Sequence, residues 1–391
     1  MKDKWHWKPL GELCDILDNM RRPVTKRDRI SGQYPYYGAT GIQDYVADFL
    51  FDEPLVLVGE DGAKWESGDN TAFAVEGKCW VNNHAHVLKP YRNLLMDNWL
   101  IYWLNHSDIS EFVSGLTVPK LNQGNLREIP IPLPLLSEQQ RIVGILDEAF
   151  EGIAIAKANA EKNLQNARAL FESYLQSKFT LQGDGWERVT LQALLERGWI
   201  LGHLDGNHGG DYPRKEEFID EGVPYISANC LDAEYVDMSR AKYLSPSRAA
   251  LIRKGIARDN DILFAHNATV GPVAILHTDE EKVILGTSLT YYRCNPMYIR
   301  SEYLAHYMRS FGFKIQYLQV MRQSTRNQIP ITKQREFLHV IPPLAEQKAI
   351  VSQLDGLLEN VQRLESIYRQ KLTTLDELKK SLLHRAFNGQ L

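Results

Sequence analysis

The chain has 391 residues, room for about two to four domains, and its 44% hydrophobic and 10% aromatic content is that of a folded protein. No apolar run reaches the ~18 residues a membrane span needs, Met1-Lys2-Asp3-Lys4-Trp5 does not open a signal peptide, and Cys14, Cys79, Cys230 and Cys294 form no CxxC pair, which argues against zinc fingers and disulfides and fits a reducing cytoplasm. The formal net charge is −4, and residues 1–136 carry 14 basic and 18 acidic side chains, so an independent nucleic-acid binder is disfavoured unless basic groups gather on one face or a partner supplies phosphate contacts.

The first predicted globule covers 1–136 and opens at Trp7-Lys8-Pro9-Leu10. Its most basic window is Arg21-Arg22-Pro23 with Lys26, Arg27 and Arg29, a phosphate clamp or a solvated loop. After Tyr34-Pro35-Tyr36-Tyr37-Gly38-Ala39-Thr40 comes a short apolar strand, Pro54 to Gly59, leading into the polar turn Glu60-Asp61-Gly62-Ala63-Lys64-Trp65. A second strand, His84 to Pro90, precedes an aromatic helix holding Trp99, Leu100, Tyr102 and Trp103. His84 and His86, near Cys79, have the alternate spacing of ligands on a strand, but a third ligand is not evident. Glu60-Asp61 is too short a motif to mark a nuclease; a turn is the plainer reading.

Ile129-Pro130-Ile131-Pro132-Leu133-Pro134 must be extended, because proline blocks helix there. A helix predicted from Ser137 as cap to Phe179 follows, 43 residues without proline and on the order of 65 Å long. This spacer segment is 137–182. Val143, Leu146, Phe150, Ile153, Lys157, Ala160, Leu164, Ala167, Phe171, Tyr174 and Lys178 fill the a and d places of a heptad frame. Gly183-Asp184-Gly185 then marks a boundary.

The second globule, 183–344, repeats the first. Trp186-Glu187-Arg188-Val189 opens it, Val223-Pro224-Tyr225-Ile226-Ser227-Ala228-Asn229 parallels the tyrosine run, and Asp261 to Ala265 leads into His266-Asn267-Ala268-Thr269-Val270-Gly271. Thr290 to Pro296 matches the strand from His84, and Tyr303, Leu304, His306 and Tyr307 match the aromatic helix. The loops differ more than the framework, as expected of like scaffolds made to recognise different things. Asn295-Pro296-Met297-Tyr298 is near the Asn-Pro-Pro-Tyr signature of amino-methyltransferases, but it lacks the second proline and a preceding glycine-rich loop, and it reads as a strand exit. No GxxxxGK[ST] loop is present.

The last segment, 345–391, repeats the first helix at an offset of 208 residues: Pro342-Pro343-Leu344-Ala345-Glu346-Gln347 echoes Pro134-Leu135-Leu136-Ser137-Glu138-Gln139. Its seam runs through Val351, Leu354, Leu358, Val361, Glu365, Tyr368, Leu372, Leu375, Lys379, Leu382 and Ala386. An antiparallel pair would give a pseudo-twofold; the alternative is that each helix packs only on its own globule. The predicted fold class is mixed α/β (α+β): two similar globules separated by two long antiparallel helices in a coiled coil. A period this long is not a solenoid repeat. It suits a protein that reads two places on one extended target.

At this point the chain resembles the DNA specificity (S) subunit of type I restriction–modification systems over its full length. The marks are the two helix starts at Glu138-Gln139 and Glu346-Gln347, the alternation of globule and helix, Tyr34 to Ala39, and Trp80-Val81-Asn82-Asn83-His84-Ala85-His86. The resemblance implies that each globule is a target-recognition domain reading half of a split double-stranded DNA site. It implies that the helices space the domains and dock two methyltransferase (M) subunits, which methylate adenine with S-adenosylmethionine. It also implies motor–nuclease (R) subunits using ATP and Mg, and no catalysis or cofactor in this chain.

Base edges are told apart in the major groove by donors and acceptors, so the candidate readers are polar residues on loops. In the first domain these are Thr40, Lys64, Asn83 and His84, with Arg21 and Arg22 on phosphate. In the second they are Asn229, His266, Asn267 and Thr269, with Arg322, Gln323, Arg326 and Gln328 from the run 322–328. Each has a plain alternative as a turn residue. Spacer and docking candidates are Glu138, Gln139, Phe150, Ile153, Leu164, Phe171, Glu346, Gln347, Leu358, Val361, Leu372 and Leu382. Two other readings stay open: a coiled-coil scaffold whose globules bind protein, and the specificity part of a methylation-only system.

Overall fold

The computed structural model describes residues 5–115, 117–180, 183–207, 212–232, 235–322 and 327–391. The chain divides into two units, Met1–Lys162 with Tyr368–Leu391, and Asn163–Ile367, so the division falls within both long helices.

In the first unit, strands Cys14–Ile16, Ala85–Pro90, Leu55–Gly59 and Ala72–Val75 lie side by side in that order, all antiparallel. Leu55 to Val58 are completely buried, which is why this strand is a continuous apolar run without alternation. A second sheet holds Gly41–Val46, Ser31–Gly38, Lys78–Val81 and Phe51–Asp52. The proline-alternating segment forms the strand Pro130–Leu133, paired only with His6–Pro9, where missing N–H groups cost little.

The second unit repeats the plan with additions. Strands Ile200–Asp205, Leu289–Cys294, Ile262–Asn267 and Thr269–Ile275 match the first four-stranded sheet, extended by Tyr235–Val236 and Leu231–Asp232. Phe218–Ile219, Lys242–Leu244, Val223–Ile226, Val283–Leu285 and Ile256–Ala257 form the second sheet, and Glu187–Thr190 pairs with Leu338–Ile341. The aromatic helices are Asp97–His106 and Ser301–Arg309.

The long helices run Leu136–Thr180 and Leu344–Phe387. The first starts one residue before Ser137, and the N–H groups of Glu138 and Gln139 both reach the Leu135 carbonyl. Of the positions in the heptad frame, only Lys379 is exposed. In the first unit the Arg141 guanidinium reaches the Leu391 carbonyl and Lys157 pairs with Asp376; in the second Arg168 pairs with Glu365 and Tyr174 donates to Gln353. Partner numbers fall as helix numbers rise, so the helices are antiparallel within each unit. Ile142, Val143 and Leu146, with Leu383, Ala386 and Phe387, join the core around Trp99; Ile350, Val351 and Leu354, with Leu175 and Phe179, join the core around Tyr303. Each globule therefore takes the first turns of its own helix and the last turns of the other. No helix among the described residues is long and apolar enough to cross a membrane.

Candidate nucleic-acid interface

Strand register aligns the two polar turns residue for residue. Val58 pairs with His86 and Gly59 with Ala85, while Phe264 pairs with Thr290 and Ala265 with Leu289, so Glu60 corresponds to His266 and Asp61 to Asn267. The backbone bonds agree. Glu60 N–H donates to the His84 carbonyl and the Glu60 carbonyl accepts from Leu121 N–H; His266 N–H donates to the Ser288 carbonyl and the His266 carbonyl accepts from Ile329 N–H, all at 2.8–2.9 Å. Two residues on, the backbone is left-handed in both, Gly62 at φ 69° and Ala268 at φ 62°.

Around the first turn the chemistry is ionic. The Arg21 guanidinium bonds the Glu60 carboxylate, donates to the Ala85 carbonyl at 2.8 Å and lies 3.4 Å from Asp18. Both ring nitrogens of fully buried His86 face oxygen, Asp18 at 2.6 Å and the Leu121 carbonyl at 2.7 Å. Lys120 is 2.8 Å from Glu60 and 3.7 Å from Asp61, and Asp61 also binds the His84 ring. Burial pushes the Asp18 carboxyl up, but the His86 bond and charge, the Val87 N–H and Arg21 outweigh it and hold it below the ordinary carboxylate value. The Glu60 bond, against some burial, raises Lys120 above its ordinary value. Asp18, Glu60 and His86 place three metal-type donors within 4.8 Å. Arg21 and Lys120 already supply the positive charge there, so the cluster is an ion network, not a cation cage. His84 and His86 do not share a site: one is exposed on Asp61, the other buried on Asp18.

Around the second turn the bonded groups are neutral, with Arg335 and Asp205 acting on His203 only through their charge. Thr290 stands where His86 does, and the Gln334 amide links Thr290, Tyr292, the Ile329 carbonyl and His203. Burial pushes the imidazoles of His203 and His339 down to about 4 and about 3. The turn is clamped to the loop after it: Ala268 N–H donates to the Asn327 carbonyl at 3.0 Å and Asn327 Nδ2 to the Ala268 carbonyl at 2.5 Å, with Asn267 bridged to Gln328.

Most of the sequence candidates gather on these turns. Arg22, Thr40, Lys64, Asn83 and His84 are exposed; Arg22 N–H donates to Val81 beside Asn83, and the Ala39 carbonyl before Thr40 lies against Gly59. In the second domain Asn229 and Thr269 are exposed, Asn267 and Gln328 half-buried, and Ser288 ties Ala228, the neighbour of Asn229, to His266. Arg322 is the exposed last residue of the helix Phe311–Arg322, while Gln323 and Arg326 lie outside the described residues. Two assignments are corrected. Arg21 is not a surface phosphate clamp, because its side chain is 12% exposed and bonded to carboxylates. His266 is buried with its Nδ1 on the Ile329 carbonyl, so it shapes the turn and does not face solvent. Asn295 and Tyr298 are structural: Asn295 donates to the Gly198 carbonyl and Tyr298 stacks on Trp199.

On the long helices, Ile153 and Val361 are buried, and Leu164, Phe171, Leu358, Leu372 and Leu382 half-buried, in the seam. Phe150 packs on Tyr102 with Lys379 over its ring. Glu138 pairs with Arg141, whereas Glu346 accepts from the Trp186 ring N–H. Gln139 and Gln347 are fully buried, so they are not surface docking residues. Exposed large apolar side chains on the long helices are instead Ile145, Ile155, Leu170, Leu344, Leu364, Ile367 and Leu378. Sequence reasoning also missed Lys120. It stands 208 residues before Gln328, the same offset that aligned the helices, and that was the available signal.

The family model for the type I restriction modification DNA specificity domain matches residues 2–166 and 185–373. The chain belongs to this family. S.HindORF215P of Haemophilus influenzae, provisionally described as a type I restriction enzyme specificity subunit, is 30% identical over 362 residues, 89% of this chain and 86% of that protein. The EcoDI specificity subunit of Escherichia coli is 22% identical over 99% of this chain and 88% of its own length. Among solved structures, a chain from a study of complex assembly and conformational transition of the type I R-M system superposes with TM-score 0.74 at 18% identity, covering 99% of this chain and 98% of that one. The HsdS subunit of Thermoanaerobacter tengcongensis gives 0.56 at 18% identity, with 99% and 97% covered. The chain is thus a type I specificity subunit: its part is target recognition within a larger assembly, and catalysis lies in the other subunits.

Proposed function

We propose that each globule reads one half of a bipartite, gapped double-stranded DNA site, and that the two long helices set the gap and dock two methyltransferase subunits. Those subunits would methylate adenine in each half with S-adenosylmethionine, and motor–nuclease subunits with ATP and Mg would restrict unmodified DNA, all in the cytoplasm. The observation that carries the reading is the pair of equivalent turns: one backbone presents Asp61, Lys64, Asn83 and His84 in one copy, and Asn267, Thr269, Asn327 and Gln328 in the other. Amides pair bidentately with adenine and carboxylates accept from cytosine, so the two faces suit different bases. Few free cations stand beside these turns among the described residues, which fits phosphate contacts supplied by the partners.

The test is methylation mapping by single-molecule sequencing with and without this gene. Loss of a gapped adenine motif supports the reading. An unchanged methylome with active methyltransferase partners would sink it in favour of a protein-binding scaffold. A sharper form deletes four residues from each long helix. That shortens each by ~6 Å, nearly two base pairs at about 3.4 Å. The half-sites should persist while the gap shrinks; changed half-sites with an unchanged gap would remove the helices as the ruler.

A further inference from the structure

Gln139 and Gln347 stand 208 residues apart in the repeated Glu-Gln pair, and both are fully buried. A primary amide in an apolar core is costly unless its donors and acceptor are met. Here they are met in the same way twice. Gln139 Oε1 accepts from Met96 N–H at 2.9 Å, and its Nε2 donates to the carbonyls of Leu94 at 2.8 Å and Pro134 at 3.0 Å. Gln347 Oε1 accepts from Arg300 N–H at 2.9 Å, and its Nε2 donates to Tyr298 at 2.8 Å and Pro342 at 2.9 Å.

Met96 and Arg300 are the N-caps of the two aromatic helices, and neither has a side-chain cap bond. Each glutamine thus ties three pieces together: the first turn of a long helix, the strand exit before it, and the start of the aromatic helix in the same globule. Its neighbour shows that this is not simple copying, since Glu138 pairs with Arg141 while Glu346 binds Trp186. Ile142, Val143 and Leu146 in one core and Ile350, Val351 and Leu354 in the other are apolar, non-directional contacts that hold helix to globule without fixing an angle. Further along each long helix a carboxylate adds a side-chain link to the aromatic helix, Asp147 to Tyr102 and Asp355 to His306. At the helix start the direction is set by the glutamine's three bonds to backbone atoms.

We propose that Gln139 and Gln347 are positioning residues that set the angle and register of each recognition domain on its spacer helix, and so the length of the gap between half-sites. This rests on the reading of the helices as a ruler. The leverage is large: along a helix of ~65 Å, a tilt of roughly 3° moves the far end by about one base-pair rise.

Gln139→Met and Gln347→Met keep the side-chain length and remove all three bonds. Gln139→Glu and Gln347→Glu keep the acceptor but set an oxygen against two carbonyls. Each full-length chain is co-expressed with its methyltransferase partners in a host without other DNA methylation, its motif mapped by single-molecule sequencing and the melting temperature of the complex measured. The half-sites should be unchanged. The ratio of methylation at the native gap to that at gaps one base pair longer or shorter should fall about tenfold, and further in the double variant. A lower melting temperature with a gap as sharp as the parent's would make the glutamines merely structural and overturn the proposal. So would altered half-site bases with a sharp gap, or failure of every variant to assemble. The four-residue helix deletion runs in parallel. If it leaves the gap unchanged, the ruler reading itself has failed; if it shortens the gap while the glutamine variants stay sharp, only the latch has failed.

Discussion

The two polar turns share a backbone and differ in how their polar groups are neutralised. In the first domain charges neutralise charges: Asp18, Glu60 and Asp61 against Arg21, Lys120 and the histidines. In the second, the Gln334 amide links the hydroxyls of Thr290 and Tyr292, the Ile329 carbonyl and the His203 imidazole. The strand pairing is indifferent to the exchange, because Glu60 and His266 make their framework bonds through the main chain. The lesson is that the side chains around a turn can be exchanged from ionic to neutral while the ladder beneath it stays fixed, because that ladder is built from main-chain bonds.

Acid should separate the two domains most strongly. His203 and His339 have folded values of about 4 and about 3, below the unfolded value near 6.5. The unfolded state therefore takes up protons first as pH falls, and stability present at neutral pH is lost below about 6.5. Each histidine costs about 1.4 kcal/mol per pH unit there, so the second unit should lose roughly 5 kcal/mol between pH 6.5 and 4.5. In the first unit Asp18 is held low, so its stabilisation is present above the ordinary carboxylate value and lost only below about 4. Half-buried His106, lowered by burial and by His384, adds a screened loss on that side. Hydrogen exchange corrected for intrinsic rates should show core protection falling first in the second unit; equal loss in both would break the contrast.

Arg21→Ala tests the ionic side. It strips the guanidinium from two nearly buried carboxylates, Asp18 and Glu60, and should cost about 3–5 kcal/mol in the first unit. Urea unfolding followed by the same exchange readout checks it. A cost below about 1 kcal/mol would mean that the network behaves as an exposed ion pair.

What the sequence made legible and what it hid divide along one physical line. The helices, their seam and the repeated strands depend on spacing, and spacing is written in the chain. Val143, Leu146, Val351 and Leu354 are buried where a heptad frame puts them. Burial of a polar side chain depends on a partner far away in sequence. Arg21 looks like a surface clamp until Glu60, 39 residues on, turns it inward. His266 looks like a reader until Ile329 claims its ring. Gln139 and Gln347 look like helix-surface residues, because their partners are backbone atoms with no signature. Lys120 was hidden differently: Gly115 and Pro119 give its loop the appearance of an ordinary turn.

The smallest effect probes the turns directly. Gly62 and Ala268 occupy the same left-handed corner, where a Cβ is disfavoured. At Gly62 a Cβ would meet no atom within 4 Å, so Gly62→Ala carries the conformational cost without a clash. Ala268 endures that cost because Asn327 clamps it from both sides, carbonyl to N–H and amide to carbonyl. Exchanging the residues should act in opposite directions: Gly62→Ala loses about 1 kcal/mol and Ala268→Gly gains up to about 1 kcal/mol. Thermal unfolding of the two single variants measures both. Equal and opposite shifts mean that the corners are alike and the clamp only tolerates strain. A gain at Ala268 much smaller than the loss at Gly62 means that the clamp has already relaxed the corner, and that the second turn is held by its loop where the first is held by its glycine.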